Sequence, residues 1–287
     1  MIRHSRPGDE PGLQALWQIA FGDSSEAIEA FFSALYRPGQ ALLWTEGDQI
    51  VSAIYLLDAG SLPLPGGANE QRQAPLRVSY SYALATLPNF RGRGIGTQVV
   101  QSAIVRSFET GFDCNVICPA EEALFPYYAR LGYDAVLPIA QGEILRSMVD
   151  NSVSIINIMS INPAVYFLIR SALLPSQSVT YPADYLQFVT RSCLTSGGGL
   201  YRLKVDGQIG CAAVERRGTE LFISEILPAS LAEQGARRLL EHFGAESVRF
   251  RTVPGLDVPP QRPFVLVAQP PDRPLPILDG YFPFVLD

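Results

Sequence analysis

The chain has 287 residues, of which 47% are hydrophobic and 17% are charged, and its formal net charge is −6 at pH 7. This composition supplies enough apolar residues for sizeable cores and disfavours long disordered stretches. The acidic balance, without a basic stripe, excludes a nucleic-acid partner and mildly favours a basic small substrate. The length exceeds the usual single-core size and predicts two domains.

Cysteine and histidine are too sparse and too widely spaced for a metal site, so no metal is predicted. The four cysteines form no C-x-x-C motif, and the two histidines lie outside zinc-ligand spacing. Free thiols suit a reducing compartment, and no apolar signal core follows the first ten residues, so a cytoplasmic location is expected. The long apolar stretch at 153–174 is interrupted by Asn157, Pro163 and Arg170, which favours burial between domains over a membrane span.

The first elements are recognised by hydrophobic periodicity and by turn residues. An acid-first capping sequence at Asp23-Ser24-Ser25-Glu26 opens the second helix. In chain order we predict a strand, two helices, a hairpin and a Gly- and Pro-rich loop, at residues 2–3, 12–20, 23–35, 41–57 and 61–74.

A glycine-rich turn follows the strand predicted at 76–86. The turn reads Arg91-Gly92-Arg93-Gly94-Ile95-Gly96-Thr97 and opens an amphipathic helix that Gly111 ends. Glycines let consecutive amides face one point, and the helix start adds unpaired N–H groups and the positive end of its dipole, so the turn is typical of a phosphate site. It lacks the lysine of a Walker loop, and its G-x-G-x-G spacing differs from the Rossmann G-x-G-x-x-G.

A second segment supports a related interpretation. Residues 112–119 have the composition of a buried strand, and residues 121–133 follow as a helix with a glycine stop at Gly132. A further strand is predicted to run to about Leu145. The order of elements in the first half is therefore β-α-α-β-β-β-α-β-α-β.

The R-x-x-G-x-G spacing from Arg91 to Gly96, after a strand that ends at Thr86-Leu87-Pro88, resembles the acetyl-CoA pyrophosphate loop of GNAT-superfamily N-acetyltransferases. Tyr128, with Gly132-Tyr133 after it, is similar to the family's f-Y-x-x-x-G-[FY] signature. The resemblance implies an α+β fold with a mixed sheet, and it implies that Tyr128 protonates the leaving thiolate. It also implies that acetyl-CoA is the co-substrate and is held by Leu84, Ala85, Thr86, Arg91, Gly92, Arg93, Gly94, Ile95, Gly96 and Thr97.

The general base is not evident from the residues. Some relatives place a glutamate on the strand before the phosphate loop, but the segment 78–82 carries no carboxylate. His4 and His242 fit surface or capping positions better than a base. The apolar end at 280–287 is predicted to dock into the body of the protein. In two-part relatives of the enhanced-intracellular-survival type the terminal carboxylate is the base, so the resemblance implies this role for Asp287. A water relay, or a last strand packed on the second domain, stays open.

The second half repeats part of the pattern. A hairpin at 203–213, a strand at 221–227, a helix at 231–243 and a strand at 247–252 follow a GNAT-like order. In place of a glycine turn, residues 227–233 contain a proline and a glutamate, so this copy should not bind coenzyme A. A sterol-carrier-like module of similar elements is an alternative. The proline-dense segment 254–276 is predicted to be an ordered surface connection and not an array of strands.

These observations predict tandem GNAT-like domains, an acetyltransferase domain at 1–148 and a degenerate domain at 149–287. The predicted function is transfer of an acetyl group from acetyl-CoA to a primary amine of a small-molecule or peptide acceptor by direct attack in a ternary complex. A non-catalytic acyl-CoA-binding sensor is the alternative, because the strand before the turn has no carboxylate. No membrane partner is expected, and the sequence specifies neither the acceptor nor the oligomeric state.

Overall fold

The computed structural model describes residues 1–64, 74–148, 156–205, 207–255, 261–272 and 280–286. The first half contains β1 (Ile2–His4), α1 (Glu10–Phe21), α2 (Ser25–Ala34), β2 (Ala41–Glu46), β3 (Gln49–Leu62), β4 (Leu76–Thr86), α3 (Ile95–Glu109), β5 (Cys114–Ile117), α4 (Phe125–Ala129) and β6 (Tyr133–Leu145). The second half contains β7 (Ile156–Ser160), α5 (Pro163–Leu173), α6 (Ala183–Thr195), β8 (Gly199–Val205), β9 (Gln208–Arg217), β10 (Glu220–Leu227), α7 (Ala232–Phe243), β11 (Ser247–Thr252) and β12 (Gln261–Ala268).

Local signals in the sequence set several of these boundaries. The hydroxyl of Ser24 accepts from the amide of Ala27 at 3.3 Å and caps α2, and Gly22 ends α1 in the left-handed region at φ 75°. Gly111 closes α3 at φ 85°, and its amide donates to Phe108. The order of elements predicted for the first half is confirmed, although α4 is a short helix that follows a 3-10 turn at Glu122–Leu124.

The strands form one twelve-stranded mixed sheet with the order β1-β2-β3-β4-β5-β12-β6-β11-β10-β9-β8-β7. β4 and β5 pair in parallel, as do β10 and β11, and every other neighbouring pair is antiparallel. The predicted combination of helices with a mixed sheet is therefore present in a single continuous sheet.

The order β-α-α-β-β-β-α-β occurs twice along the chain, from β1 to β5 and again from β7 to β11. The next strand of each half lies against the other half, because β6 pairs with β11 and β12 pairs with β5. β6 and β12 also pair with each other at the centre of the sheet. The sheet therefore has the same strand sequence when it is followed inward from either edge.

The prediction of a surface connection at 254–276 is wrong for residues 261–268, which form the central strand β12. The prolines conceal a buried apolar run, Phe264 to Ala268, which lies between two other strands. Pro263 stands at the exposed start of β12, where the register with β6 shifts, so a missing N–H is tolerated there.

Three apolar clusters cover the sheet. The long helices α3 and α7 each pack in a separate cluster with strands of their own half and with the exchanged strand of the other half, β12 for α3 and β6 for α7. The helix pairs α1–α2 and α5–α6 share a third cluster with the tail segment, residues 280–286. The predicted docking of this apolar end is confirmed for 280–286, since Tyr281 to Val285 are all buried.

A buried ion pair joins α5 to the strand β10. Glu225 has no exposed surface, and its carboxylate accepts from Arg170 Nε at 2.6 Å and from the hydroxyl of Tyr166 at 3.0 Å. Arg170 also donates from Nη2 to the second carboxylate oxygen at 3.1 Å. The pair is therefore bidentate, which satisfies most of the polar atoms taken out of water.

We expect Glu225→Leu to lower the free energy of unfolding by about 3–5 kcal/mol, because it leaves the guanidinium of Arg170 buried without its counter-charge. Denaturant unfolding measures the change. Glu220→Gln on the same strand is the control, since its ion pair with Arg249 is long, at 3.9 Å, and exposed, and its loss should cost less than about 1 kcal/mol. Equal stabilities of the two variants would contradict this account.

Candidate active site

The parallel strands β4 and β5 pair over only four residues and then separate. Val78 to Ser81 lie opposite Cys114 to Ile117, where β5 ends, while β4 continues to Thr86. Among the described residues, the backbone of β4 beyond Ser81 therefore has no neighbouring strand on the side of β5. The gap between the two strands is open to a ligand.

A buried hydrogen-bond network fixes the point where the strands separate. The amide oxygen of Asn115 accepts from the hydroxyl of Ser81 at 2.9 Å and from the hydroxyl of Tyr133 at 2.5 Å. The amide nitrogen of Asn115 donates to Ser79 at 2.7 Å, and Ser79 also contacts the hydroxyl of Ser107 on α3. These polar groups satisfy one another and hold β4, β5, β6 and α3 together below the gap.

A bulge redirects β4 where the gap opens. Tyr82 lies opposite Tyr55 and Ala85 lies opposite Ala53, so β4 carries one more residue than β3 over this interval. Ala83 lies within the bulge at φ 50°, in a region that residues other than glycine rarely adopt. Among the described residues it is the only non-glycine residue with a positive φ.

The glycine-rich turn presents a row of amides at the far end of the gap. Gly94 caps α3 at φ 73°, and Gln98 donates the first backbone bond of the helix, to the carbonyl of Gly94. The amides of Ile95, Gly96 and Thr97 therefore precede the helical ladder. A Cβ added to Gly92 or Gly94 would meet no atom within 4 Å, so this face of the turn is open.

Side chains brace the turn from both sides. Arg91 Nε donates to the carbonyl of Thr86 at 3.0 Å, and Arg93 donates to the carbonyl of Asn89 at 2.9 Å. Thr97 Oγ1 lies 3.2 Å from the hydroxyl of Tyr127, which ties the start of α3 to α4. The structure thus brings the predicted residues at 91–97 together beside the end of β4.

A cavity of about 800 Å³ occupies the gap and extends towards the second half. Leu84 and Tyr128 line it, whereas Ala85, Thr86 and residues 91–97 lie outside its lining. The remaining walls come from α1, the end of β5, α4, β11, β12 and the tail segment. The predicted site residues therefore divide into a group in the cavity and a group at the turn.

Tyr128 is almost fully buried, with 6% of its surface exposed. Burial, with smaller contributions from the neighbouring Tyr127 and Cys118, raises the pKa of its phenol to about 12. Tyr128 packs edge-on against Tyr133, with ring centroids 6.0 Å apart. The phenol in the cavity is therefore protonated across the physiological range, while Tyr127 faces the glycine turn.

Charged side chains lie at different walls of the cavity. Asp23, Glu121 and Glu122 belong to first-half segments, and Arg251 and Arg262 belong to β11 and β12. The two histidines lie elsewhere, since His4 contacts the carbonyl of Gly39 and His242 packs against Tyr201 and Phe243. Sequence reasoning missed the arginines, because nothing near them along the chain indicates that their strands reach the first half.

The tail segment is fixed before it reaches the cavity. The amide of Phe284 donates to the hydroxyl of Tyr181 at 3.1 Å, and its carbonyl accepts from the hydroxyl of Tyr185 at 2.7 Å. The guanidinium of Arg170 lies 4.9 Å from the Phe284 ring centroid. Leu286 then lines the cavity. Asp287, the predicted base, lies outside the described residues.

Two general features bear on the class of protein. Within the ranges described above, no helix is long and apolar enough to cross a membrane. The same residues contain no group of three or more histidine, cysteine or acidic side chains placed to hold a metal ion.

Comparison with known proteins gives a match to one family of domains. Residues 1–136 match the family described as the acetyltransferase (GNAT) domain. No curated protein matches the chain in sequence.

Solved structures extend the likeness in fold to both halves. A probable N-acyltransferase from Enterococcus faecalis is similar over 97% of this chain and 73% of its own, with a TM-score of 0.64 and 14% identity. Eis1 from Mycobacterium abscessus is similar over 94% of this chain and 73% of its own, with a TM-score of 0.60 and 14% identity. A GCN5-related N-acetyltransferase from Sphaerobacter thermophilus is similar over 98% of both chains, with a TM-score of 0.57 and 14% identity. The predicted mixed-sheet, two-part GNAT fold is confirmed.

Proposed function

We propose that the protein is an acetyl-CoA-dependent N-acetyltransferase that acts on a primary amine. One observation carries the proposal. The gap between the strands β4 and β5 leads from the amides of the glycine turn at one end to a cavity at the other end, and the buried Tyr128 lines this cavity. An extended acyl carrier that is anionic at one end and reactive at the other would fit this arrangement.

The residues of the chain fit acetyl-CoA at its two distinctive ends. The amides of Ile95, Gly96 and Thr97 and the dipole of α3 would hold the pyrophosphate, and the exposed Arg91 and Arg93 add positive charge beside the turn. Acetyl-CoA would supply the acetyl group as an activated thioester. The unpaired edge of β4 at Leu84, Ala85 and Thr86 would align the chain that leads from the turn to the cavity.

Tyr128 is the proposed general acid. Its raised pKa keeps a proton available in the cavity, and a phenol at this position would donate that proton to the departing sulfur. The base is proposed to be the carboxylate of Asp287, because the adjoining Leu286 lines the same cavity. A water relay is the alternative base.

The proposed division at residues 148 and 149 follows the internal repeat, apart from the exchanged strands β6 and β12. The second half is proposed to bind no coenzyme A, because Pro228 and Glu233 stand where the first half has its glycine turn. Glu233, which pairs with Arg237 at 2.7 Å, places a negative charge in the first turn of α7, where a phosphate would otherwise bind. The cytoplasmic location stays a prediction.

A non-catalytic acyl-CoA sensor is the second candidate. The segment of β4 that lines the cavity, Tyr80 to Leu84, carries no carboxylate. It therefore lacks the glutamate that some relatives carry on this strand. The two functions differ in turnover. A coenzyme A complex without acetyl transfer to any amine would favour the sensor.

Gly96 lies in the glycine-rich turn, where the pyrophosphate is proposed to bind. We expect Gly96→Glu to weaken coenzyme A binding by tenfold or more, because it places a carboxylate beside a bound anion at a helix start. The added Cβ itself would lie at ordinary contact distance, 3.4 Å, from Thr86 Oγ1. Calorimetry measures the affinity. Gln101→Glu adds the same charge to the exposed face of α3 outside the turn and should bind normally. Unchanged affinity in Gly96→Glu would place the pyrophosphate elsewhere.

Substitution of Tyr128 tests its proposed role as the general acid. Tyr128→Phe should lower kcat by about 10²-fold or more, because the leaving sulfur loses its proton donor. Tyr127→Phe is the matched control, since Tyr127 faces Thr97 and lies outside the cavity lining, and it should retain most of the activity. Steady-state kinetics compares the two variants. An equal loss in both would exclude a specific acid role for Tyr128.

The pH profile gives an independent measure of the same role. Because the pKa of Tyr128 is raised to about 12, the donating form is present below that value and is lost only as pH rises through it. We therefore expect no alkaline loss of kcat from this residue between neutral pH and the upper end of the enzyme's stable range. A kcat that falls with an apparent pKa near 10, and only when Tyr128 is present, would contradict the raised pKa.

Removal of Asp287 tests its proposed role as the general base. Deletion of this residue should lower kcat steeply and leave the melting temperature unchanged, because the buried anchors at Phe284 remain in place. Thermal unfolding and kinetics on the same sample separate the two effects. Asp287→Asn distinguishes the side-chain carboxylate from the backbone end. Full activity after the deletion would leave the water relay as the base.

A further inference from the structure

We propose that the acceptor is an amine that also carries a carboxylate on an apolar or aromatic body, and that Arg251 and Arg262 recognise this carboxylate. The inference rests on the proposed acetyltransferase function and names its substrate class. It derives from the wall of the cavity that the second half contributes, through the strands β11 and β12.

Arg251 is placed where a charge is costly. Only 4% of its surface is exposed, yet it lines the cavity, and its guanidinium lies between two rings, 4.7 Å from the centroid of Phe222 and 4.5 Å from that of Phe264. A cation in such apolar surroundings is stabilised by the ring faces and by a complementary anion. Because a guanidinium has five donors, it can keep a protein partner and still bind a ligand carboxylate.

Arg262 adds a second positive group on the neighbouring part of the wall. Arg251 lies opposite Gln141 in the pairing of β11 with β6, and the Gln141 amide oxygen accepts from Arg262 Nη2 at 2.6 Å. The guanidinium of Arg262 also lies 5.9 Å from the Phe264 ring centroid. Gln141 and Phe264 therefore link the two arginines across the central strands, so that one wall of the cavity carries two groups that can each bind a carboxylate.

Acidic and aromatic side chains also line the cavity. The acidic residues Asp23, Glu121 and Glu122 all belong to first-half segments, and their charge would favour an ammonium group before it loses its proton. Aromatic side chains of α1 and β4, such as Trp17 and Tyr80, line the same cavity. A ligand with an amine, an apolar or aromatic body and a carboxylate matches these three regions.

The reaction balances without any further reagent. A bond forms between the acceptor nitrogen and the acetyl carbon, and the bond between that carbon and sulfur breaks. The ammonium first releases one proton to solvent, and the attacking nitrogen then gives a second proton to the base. The sulfur receives a proton from Tyr128, which is reprotonated when the base returns its proton. The products are an N-acetylated carboxylate and a free thiol, so the acceptor loses its positive charge and keeps the negative charge that the arginines bind.

The test uses pairs of amines that differ only in the carboxylate, with the full chain and acetyl-CoA. The pairs are phenylalanine and phenethylamine, tyrosine and tyramine, and 6-aminohexanoate and pentylamine, which vary the distance between the two groups. For at least one pair, we expect kcat/KM to be about tenfold or more higher for the carboxylate, the effect of one charge-assisted hydrogen bond. Arg251→Gln and Arg262→Gln should remove this preference, mainly through KM for the carboxylate member.

Arg249→Gln is the matched control, because Arg249 lies on β11 two residues from Arg251, is exposed and is outside the cavity lining. It should keep both the activity and the preference. If Arg251→Gln melts early, Arg262→Gln decides the test, since Arg262 is exposed at the start of β12.

The outcomes separate the two proposals. Acetylation of the carboxylate-free amines at equal or higher kcat/KM in every pair would overturn the carboxylate inference and leave the acetyltransferase function standing. A carboxylate preference that survives in both arginine variants would overturn the assignment of these residues. No acetylation of either member of any pair, by a protein that binds acetyl-CoA, would count against the proposed function and the inference together.

Discussion

The short pairing of β4 with β5 is the constraint on which the rest of the site depends. After Ser81 the two strands separate, and the network around Asn115 holds them at that point, so the separation is a fixed part of the folded state. Backbone N–H and C=O groups of β4 beyond this point have no neighbouring strand on the side of the gap, and buried groups of this kind need partners. The cavity, the bulge at Ala83 and the amides of the glycine turn all lie along this one unpaired edge.

The second half carries a different feature near the end of its parallel pairing. β10 has a register shift between Ile223 and Glu225, directly after it pairs in parallel with β11. The carboxylate of Glu225 binds Arg170 and Tyr166, and the tail segment packs on the same cluster. A buried ion pair therefore lies beside the register shift of the second half, whereas Ala83 in the bulge of the first half lines the cavity.

Exchange of β6 and β12 makes the cavity a product of both halves. Because β12 lies directly beside β5, Phe264 and Arg262 reach the space next to the separated strands, and β11 brings Arg251 to the same wall. The first half therefore contributes the glycine turn and Tyr128, and the second half contributes Arg251 and Arg262 to the wall of the cavity. A domain cut at residue 148 would lose β12 and with it one side of the cavity.

The sequence by itself determined the features that depend on near neighbours in the chain. The order of the first-half elements and the glycine turn that opens α3 follow from local periodicity, capping and glycine conformation. Tyr128 lies on a helix as expected, but α4 is shorter than predicted and ends at Ala129 with Arg130 as its C-cap, before Gly132. Only the tertiary structure decided where β12 lies, because its prolines suggest a surface segment and its strand partners are more than a hundred residues away along the chain. For the same reason only the fold brought Arg251 and Arg262 to the cavity, since strand order is set by long-range pairing and local residue patterns carry no record of it.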